Sequence, residues 1–525
     1  MNQTLYENGN ILTMEDSPAQ AVLVQDGRIA FAGDNRQARL LAGPDTHRVD
    51  LKGDTLMPAF IDAHSHFAGY AHSLLQVDLA GVDSLAKMEE RIRTFIEENA
   101  LPAGEWVKAG GYDHNTLSPA RHPTREWLDR VVPAHPVVLQ HQSGHMGVFN
   151  TLALERLGVT VDTPDPSGGK IGREDGQLTG YMEENAFVEY LQRLPAPPAG
   201  ALMDALDRAQ QRYAAFGITT AQEGMLTGEL AGLYAAYLDT GRLGLDVVGY
   251  MDAADPRQAR QVLGRALDGY YRHFRIGGYK IFLDGSPQGR TAWMRQPYQG
   301  SQDCGYPVLT DEQVSERIGL ALSENRQILA HCNGDAAAAQ YLRVYREVLR
   351  HHPGRQIRPV MIHAQLVGPD QLPLMKELRM IPSFFVAHVY YWGDVHIRNF
   401  GLQRASQISP AAAAGRLGIP YTFHQDAPVI QPDMLTTVWC AVNRMTKAGV
   451  CLGEDQRVGV MDALRAVTLN AAYQYGEEEE KGSIRAGKRA DLVRLDRNPL
   501  TTPPERLREI RVVETMKDGR LLFRA

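Results

Sequence analysis

The chain has 525 residues, 44% of them hydrophobic and 22% charged, and a formal net charge of −7. That length is far above what one small core needs, so two or more structural units are expected. An acidic balance with no clustered Lys/Arg block excludes a nucleic-acid surface, and no window nears the roughly 20 apolar residues of a membrane span.

The opening residues, MNQTLYENGNILTMED, show no basic stretch followed by an apolar one, so no signal peptide is expected and a cytoplasmic location follows. Cys304, Cys332, Cys440 and Cys451 form no CxxC pair, which argues against a disulfide framework and against a thiolate zinc site.

Residues 1–55 read as short strands with tight turns, Asp26-Gly27 marking a hairpin. Residues 482–525 have the same texture, with Asp518-Gly519 as the turn. Neither end has the apolar positions for a core of its own, so together they are expected to form one small β-sandwich around a central domain, 56–481. Within that domain, apolar β-rich runs at 56–63, 217–222, 245–250, 276–283, 327–332, 359–363, 379–384 and 419–425 alternate with amphipathic helical stretches such as 312–325 and 334–350. Eight strands in βα alternation is the count of a (β/α)8 TIM barrel; a doubly wound open sheet shows the same alternation, so the count alone does not decide.

About 150 residues separate His66 from the second strand, too many for a barrel loop. Residues 67–205 carry a helix over 83–98, a strand-like run at 137–142 and Gly/Pro-rich turns, and read as an insertion domain over the C-terminal face of the barrel. The charge run Glu477–Lys481 (EEEEK) reads as a solvated loop or helix end.

The chemistry begins at DAHSH, 62–66. Residues i and i+2 of a strand point the same way, so His64 and His66 can converge on one ion at a strand's C-terminal end. Alone, the pair reads as two ordinary histidines. Later strand ends change the weighting: LAHCNGDAA brings His331, MIHAQLV brings His363 and FHQDAPV brings Asp426. Imidazoles plus a carboxylate are what a Zn²⁺-type site uses. The fourth strand carries Lys280 inside the apolar run GGYKIFLDGS. It is either a snorkelling lysine or one whose pKa burial depresses, and a neutral lysine amine can add CO₂ to give a carbamate.

Together the motifs PAFIDAHSH, SGHMGVFN, GQLTGYMEENA, GITTAQEG, YKIFLDGS, HCNGDAA, IHAQLV, HQDAPV, AVNRMT and GSIRAGKRADLV resemble the amidohydrolase superfamily, in its branch of YtcJ-like proteins and N-substituted formamide deformylases. The resemblance implies a metal-bound barrel with a β-sandwich built from both chain ends, and a homodimer. It implies that His64 and His66 bind the more buried of two divalent ions, that carbamylated Lys280 bridges them, that His331 and His363 bind the second, and that Asp426 ligates the first. Ala59 stands where the family usually has Gly, upstream of these ligands.

The mechanism expected is hydrolysis of an amide or formamide, an activity of the EC 3.5 class. Zinc would lower the pKa of bound water, and Asp426 would move its proton to the leaving nitrogen. His145 and Asn150 match a family motif and could touch a small-molecule substrate, or brace the insertion fold. Trp392, in the aromatic stretch 384–394 read as a loop, would line the pocket mouth. Asp284 and Asp335 are expected to orient ligating groups, and His388, His396 and His424 stay unassigned. The alternative is a deaminase of a heterocycle on the same scaffold. Lys280, and the lack of a Glu three residues after His331, favour amide hydrolysis. A non-catalytic binding protein would not need all six ligand-type residues.

Overall fold

Eight strands form one all-parallel sheet in chain order: β1 (Phe60–Ile61), β2 (Ile218–Leu226), β3 (Asp246–Asp252), β4 (Phe274–Phe282), β5 (Gln327–Cys332), β6 (Val360–His363), β7 (Ile381–Phe384) and β8 (Thr422–Phe423). Each pairs in register with its sequence neighbour. The strands are buried almost throughout, as expected of a parallel sheet covered on both faces. Past the ends of β1 and β8 the chain bonds first to last: the Asp426 N–H donates to the His64 carbonyl (3.1 Å) and the His66 N–H to the Ala427 carbonyl (2.8 Å). An open doubly wound sheet has no such link between its outermost strands, so the arrangement fits a (β/α)8 barrel. This is a computed structural model that describes residues 3–525.

The helices between strands follow local chemistry. Thr310 and Gln313 form a capping box that starts Asp311–Ser323. The helix Asp335–Arg350 buries Ala337, Tyr341, Val344 and Val348, a stripe at helical spacing.

One expected strand proves to be two. Within 56–63, Thr55–Pro58 pairs with Asn10–Ile11 and Leu492–Leu495, while Phe60–Ile61 enters the barrel. The switch lies at Ala59, whose N–H donates to the Asp491 carbonyl, whereas the next amide, of Phe60, donates to Gly217. A continuous apolar run has the same texture on either side of such a switch, so the sequence does not reveal it.

The chain ends form two sheets. Gln3–Glu7, Ala21–Gln25, Arg28–Gly33 and His47–Asp50 make a four-stranded one. Asn10–Ile11, Thr55–Pro58, Leu492–Leu495, Val512–Lys517 and Arg520–Arg524 make a five-stranded one. Tyr6, Val22, Val24, Leu56, Leu492 and Met516 from both sheets share one apolar cluster. The two Asp-Gly hairpins occur as expected, with positive φ at both turn residues (48° and 83°; 50° and 69°).

The charge run at 477–481 differs from expectation. Glu477 and Lys481 are buried, not solvated. Lys481 Nζ lies 2.6 Å from Asp246 Oδ2 and 3.0 Å from Glu477 Oε2, and Lys517 Nζ lies 3.0 Å from the same Asp246 oxygen. Opposite charge, invisible in the local run, brings these residues inside.

Residues Tyr70–Arg208 form a compact unit apart from the remainder. Its six-stranded sheet has the order Gly169–Glu174, Gln177–Glu184, Met146–Phe149, Val137–His141, Val107–Tyr112, Val77–Asp78. Asn150 caps the helix Thr151–Arg156, accepts the Val137 N–H and donates to the His135 carbonyl, so both ends of its amide brace this unit. Among the described residues no helix is long and apolar enough to cross a membrane.

Candidate metal centre

The C-terminal ends of the barrel strands bring six of the sequence-predicted residues together. His64 Nε2 and His66 Nε2 lie 3.5 and 3.6 Å from Asp426 Oδ1, and His363 Nε2 lies 3.9 Å from Asp426 Oδ2. Lys280 Nζ is 3.3 Å from His64 Nε2. The ring of His331 meets that of His363 at 4.6 Å. His64, Lys280 and His363 are buried, whereas His66 and His331 are partly exposed.

The protons can be assigned from the network. The Gln222 side-chain nitrogen donates to the Ala63 carbonyl (2.8 Å), so its oxygen faces His64 Nδ1 at 2.6 Å and must accept from it. His64 therefore carries its proton on Nδ1 and aims the Nε2 lone pair inward. Glu223, whose other oxygen accepts from the Ala68 N–H and the Tyr234 hydroxyl, sits 3.8 Å from His66 Nδ1. Asp284 Oδ1 lies 3.5 Å from His331 Nδ1 without a hydrogen bond between them, and accepts the Asn333 N–H; its Oδ2 accepts those of Trp293 and Gly334. Asp335 takes no part in orienting a ligand: it accepts the Arg295 N–H.

Two polar atoms of the centre, Asp426 Oδ1 and His331 Nδ1, are buried without a hydrogen bond among the described residues. Buried polar atoms are normally satisfied, and a cation facing Asp426 Oδ1 satisfies it at once. Three donors of His, His and Asp type within 4.8 Å of one another, with Lys280 alongside, fit a divalent metal.

Burial dominates the electrostatics. It lowers His64 and His363 well below the ordinary histidine value, the positive charge of Lys280 adding to the effect, so both rings are neutral and able to ligate. Burial brings Lys280 down to about 7 against the opposing pull of Asp426. It also raises the Asp426 carboxyl, countered by His66 and Lys280. Two of the six, His363 (φ 70°) and Asp426 (φ 54°), hold left-handed backbone conformations, which cost about 1 kcal/mol or more for such residues and persist where surroundings impose them.

Sequence reasoning missed His424, Ser383, Gln222 and Glu223. The signal for His424 is its place two residues before Asp426, the spacing that puts both side chains on one side of a strand. The aromatic stretch is not a loop: the chain is helical over His388–Ala405, broken by a kink at Gly401 (φ 75°, ψ 159°). Trp392 lies on it, 4.5 Å from the His388 ring and 5.9 Å from Phe385, which in turn lies 6.1 Å from His363. His145 belongs to the Tyr70–Arg208 unit, where its exposed ring is 3.3 Å from Glu184.

A family model described as "Amidohydrolase family" matches residues 48–523. The chain is 29% identical to an N-substituted formamide deformylase of Arthrobacter pascens over 100% of this chain and 98% of that protein. It is 26% identical to the putative amidohydrolase YtcJ of Bacillus subtilis (strain 168), over 99% of each. The crystal structure of an uncharacterized metal-dependent hydrolase from Pyrococcus furiosus superposes with a TM-score of 0.76 at 25% identity, covering 95% of this chain and all of that one. The strand-end histidines, the buried lysine and the closing aspartate thus fall within a match spanning nearly the whole sequence, and the chain belongs to the amidohydrolase family, as a hydrolase of carbon–nitrogen bonds other than peptide bonds.

Proposed function

We propose that the chain cleaves a non-peptide amide, with N-substituted formamides as the substrate class, at a centre of two Zn²⁺ ions. The observation that carries this reading is the convergence of six ligand-type side chains from five of the barrel strands. His64, His66 and Asp426 would hold one ion, His331 and His363 the other, and Lys280, as its carbamate, would bridge them. Burial of Lys280 Nζ against His64, with no carboxylate among the described residues paired to it, supports the carbamate. The substrate class is suggested by the formamide deformylase relative.

When bound, the ions supply Lewis acidity, which lowers the pKa of water and polarises a carbonyl. The chain's own residues do the rest. Gln222 and Glu223 fix the rings of His64 and His66. Asp426, its carboxyl raised by burial, would give Oδ1 to the ion and keep Oδ2 to take a proton from the attacking water and pass it to the leaving amine. Phe385 and Trp392 offer an apolar wall for the substituent on nitrogen.

We read the two terminal sheets as halves of one β-sandwich, 1–55 with 482–525, supported by their shared apolar cluster, and 67–205 as an insertion into the barrel.

The test is a panel of N-substituted formamides and heterocyclic amines given to the metal-loaded protein, with formate and ammonia measured separately. Formate release with an amine co-product supports the proposal. Ammonia release from the heterocycles alone replaces it with the deaminase reading.

A further inference from the structure

Within the Tyr70–Arg208 unit a second cluster of ligand-type groups lies where two adjacent parallel strands end. Val107–Tyr112 is followed at once by Asp113 and His114, and Val137–His141 ends on His141, which stands opposite Tyr112 in the register. Parallel pairing therefore delivers the three side chains to one edge of the sheet. His114 Nδ1 lies 3.2 Å from His141 Nε2; Asp113 Oδ1 lies 3.5 Å from His141 Nε2 and 3.9 Å from His114 Nδ1.

Those separations are informative. Donors bound to one zinc-type ion at about 2.0–2.1 Å in tetrahedral geometry sit about 3.3–3.4 Å apart. The trio brackets that spacing, and it repeats the 3.5 and 3.6 Å separations of His64 and His66 from Asp426 in the barrel.

The surroundings hold the three groups in place. Asp113 Oδ2 accepts from the Gln142 side chain (2.6 Å), and its Oδ1 accepts the Asn115 N–H (2.9 Å). The Ser143 N–H donates to His141 Nδ1 (3.1 Å) and its hydroxyl lies 2.9 Å from the same nitrogen, so for Nε2 to ligate, the ring proton moves to Nδ1 and the Ser143 hydroxyl accepts it. His122 stacks on His114 at 4.0 Å and is itself anchored by Tyr112, whose hydroxyl lies 3.0 Å from its Nδ1. His141 is 7% exposed, Asp113 19% and His114 29%, so the site is formed yet reachable from solvent.

We propose that Asp113, His114 and His141 form a further binding site for a divalent transition metal of the zinc class, with an open fourth position, built from none of the barrel centre's residues. The ion clips the loop after Val107–Tyr112 to the end of Val137–His141. It stabilises this unit by mass action, because the unfolded chain has no preformed site.

The test uses the full chain stripped by chelator and titrated with Co²⁺, counting bound equivalents by elemental analysis and following the visible absorption of the bound ion. The wild type is expected to bind one equivalent more than His114→Gln, a partly exposed loop variant, with the barrel equivalents unchanged. The melting temperature of the His114→Gln protein should also respond less to Co²⁺. Asp113→Asn provides a second variant if His114→Gln proves unstable without metal. Equal stoichiometry in the wild type and in whichever variant keeps the wild-type circular dichroism overturns the site. His66→Gln separates the two centres: it should lower the barrel equivalents and leave this one in place, whatever the barrel's substrate proves to be.

Discussion

His363 and His424 share one hydrogen bond, Nδ1 to Nε2 at 3.1 Å, and His424 Nδ1 in turn lies 2.9 Å from the Ser383 hydroxyl. If His363 ligates through Nε2, its Nδ1–H donates to His424, and the His424 Nδ1–H donates to Ser383. Neutral rings suit this chain: burial lowers His424 well below the ordinary value. His424 is thus a positioning residue that sets the tautomer and tilt of His363. His424→Phe should lower metal affinity about 10–100-fold, the usual cost of removing such a partner. Competition with a chromophoric chelator measures it, and His424→Gln should recover part of the loss. Equal affinity in all three proteins would remove this role.

Asp426→Asn keeps the side chain's shape but removes its basicity. The expected result is a fall in kcat of about 10²–10⁴, the range for a positioned acid–base group, with circular dichroism unchanged. Single-turnover kinetics on a formamide check it. A variant within about twofold of the wild type would be incompatible with Asp426 as the proton carrier.

Lys280→Ala should lose bound metal, and short-chain carboxylates added during reconstitution should restore part of it by filling the space of the carbamate. Reconstitution of the stripped wild type should be faster with bicarbonate than in CO₂-free buffer. Indifference to bicarbonate and a bare lysine in intact-mass analysis would leave a plain ammonium at that position.

The buried cluster around Asp246 predicts how stability varies with pH. Burial alone would raise this carboxyl, but Lys481 and Lys517, with hydrogen bonds from His273 and Lys481, hold it well below its ordinary value. Its contribution is therefore present above the unfolded pKa of about 4 and is lost as pH falls through the lower folded value. Lys481 runs the opposite way. Burial lowers it, Asp246 and its neighbours raise it further, and its contribution persists until pH climbs through a folded value well above 10.5. Asp246→Asn should cost about 3–5 kcal/mol, because it strands buried cations. Urea titrations between acid and neutral pH should show the acid-side slope weakened in the variant.

Arg444 is fully buried and donates to three carbonyls, of Leu452 (2.7 Å), Ile408 (2.7 Å) and Ser409 (3.2 Å). Its place in the AVNRMT motif is thereby explained by architecture. Arg444→Met should destabilise by about 3–5 kcal/mol, since each stranded carbonyl costs about 1–3 kcal/mol, and chemical denaturation reads it directly.

The barrel was legible because parallel strands buried on both faces leave unbroken apolar runs, and because ligand-type residues close four of those runs. His64, His66, His331, His363 and Asp426 could be found that way, and Lys280 by its incongruity. What was not legible depends on contacts between distant segments. Gln222 reads as an ordinary polar residue until its amide is seen to be fixed by Ala63. Ala59 gives no local sign of a change of sheet. Glu477 and Lys481 look solvated until Asp246 and Arg275 are placed beside them. Asp113, His114 and His141 carry no motif, because strand pairing alone unites them.

The two backbone bonds between residues 64–66 and 426–427 also impose an order on biosynthesis. A ribosome releases His64 and His66 early, yet the carboxylate that completes their trio leaves the exit tunnel only after every other barrel strand. Thr55–Pro58 waits longer still, since its neighbour Leu492–Leu495 is translated after the last barrel strand. No nascent fragment that stops before Asp426 can assemble the full trio, so a metal held by all three donors should be captured only once every barrel strand has been made.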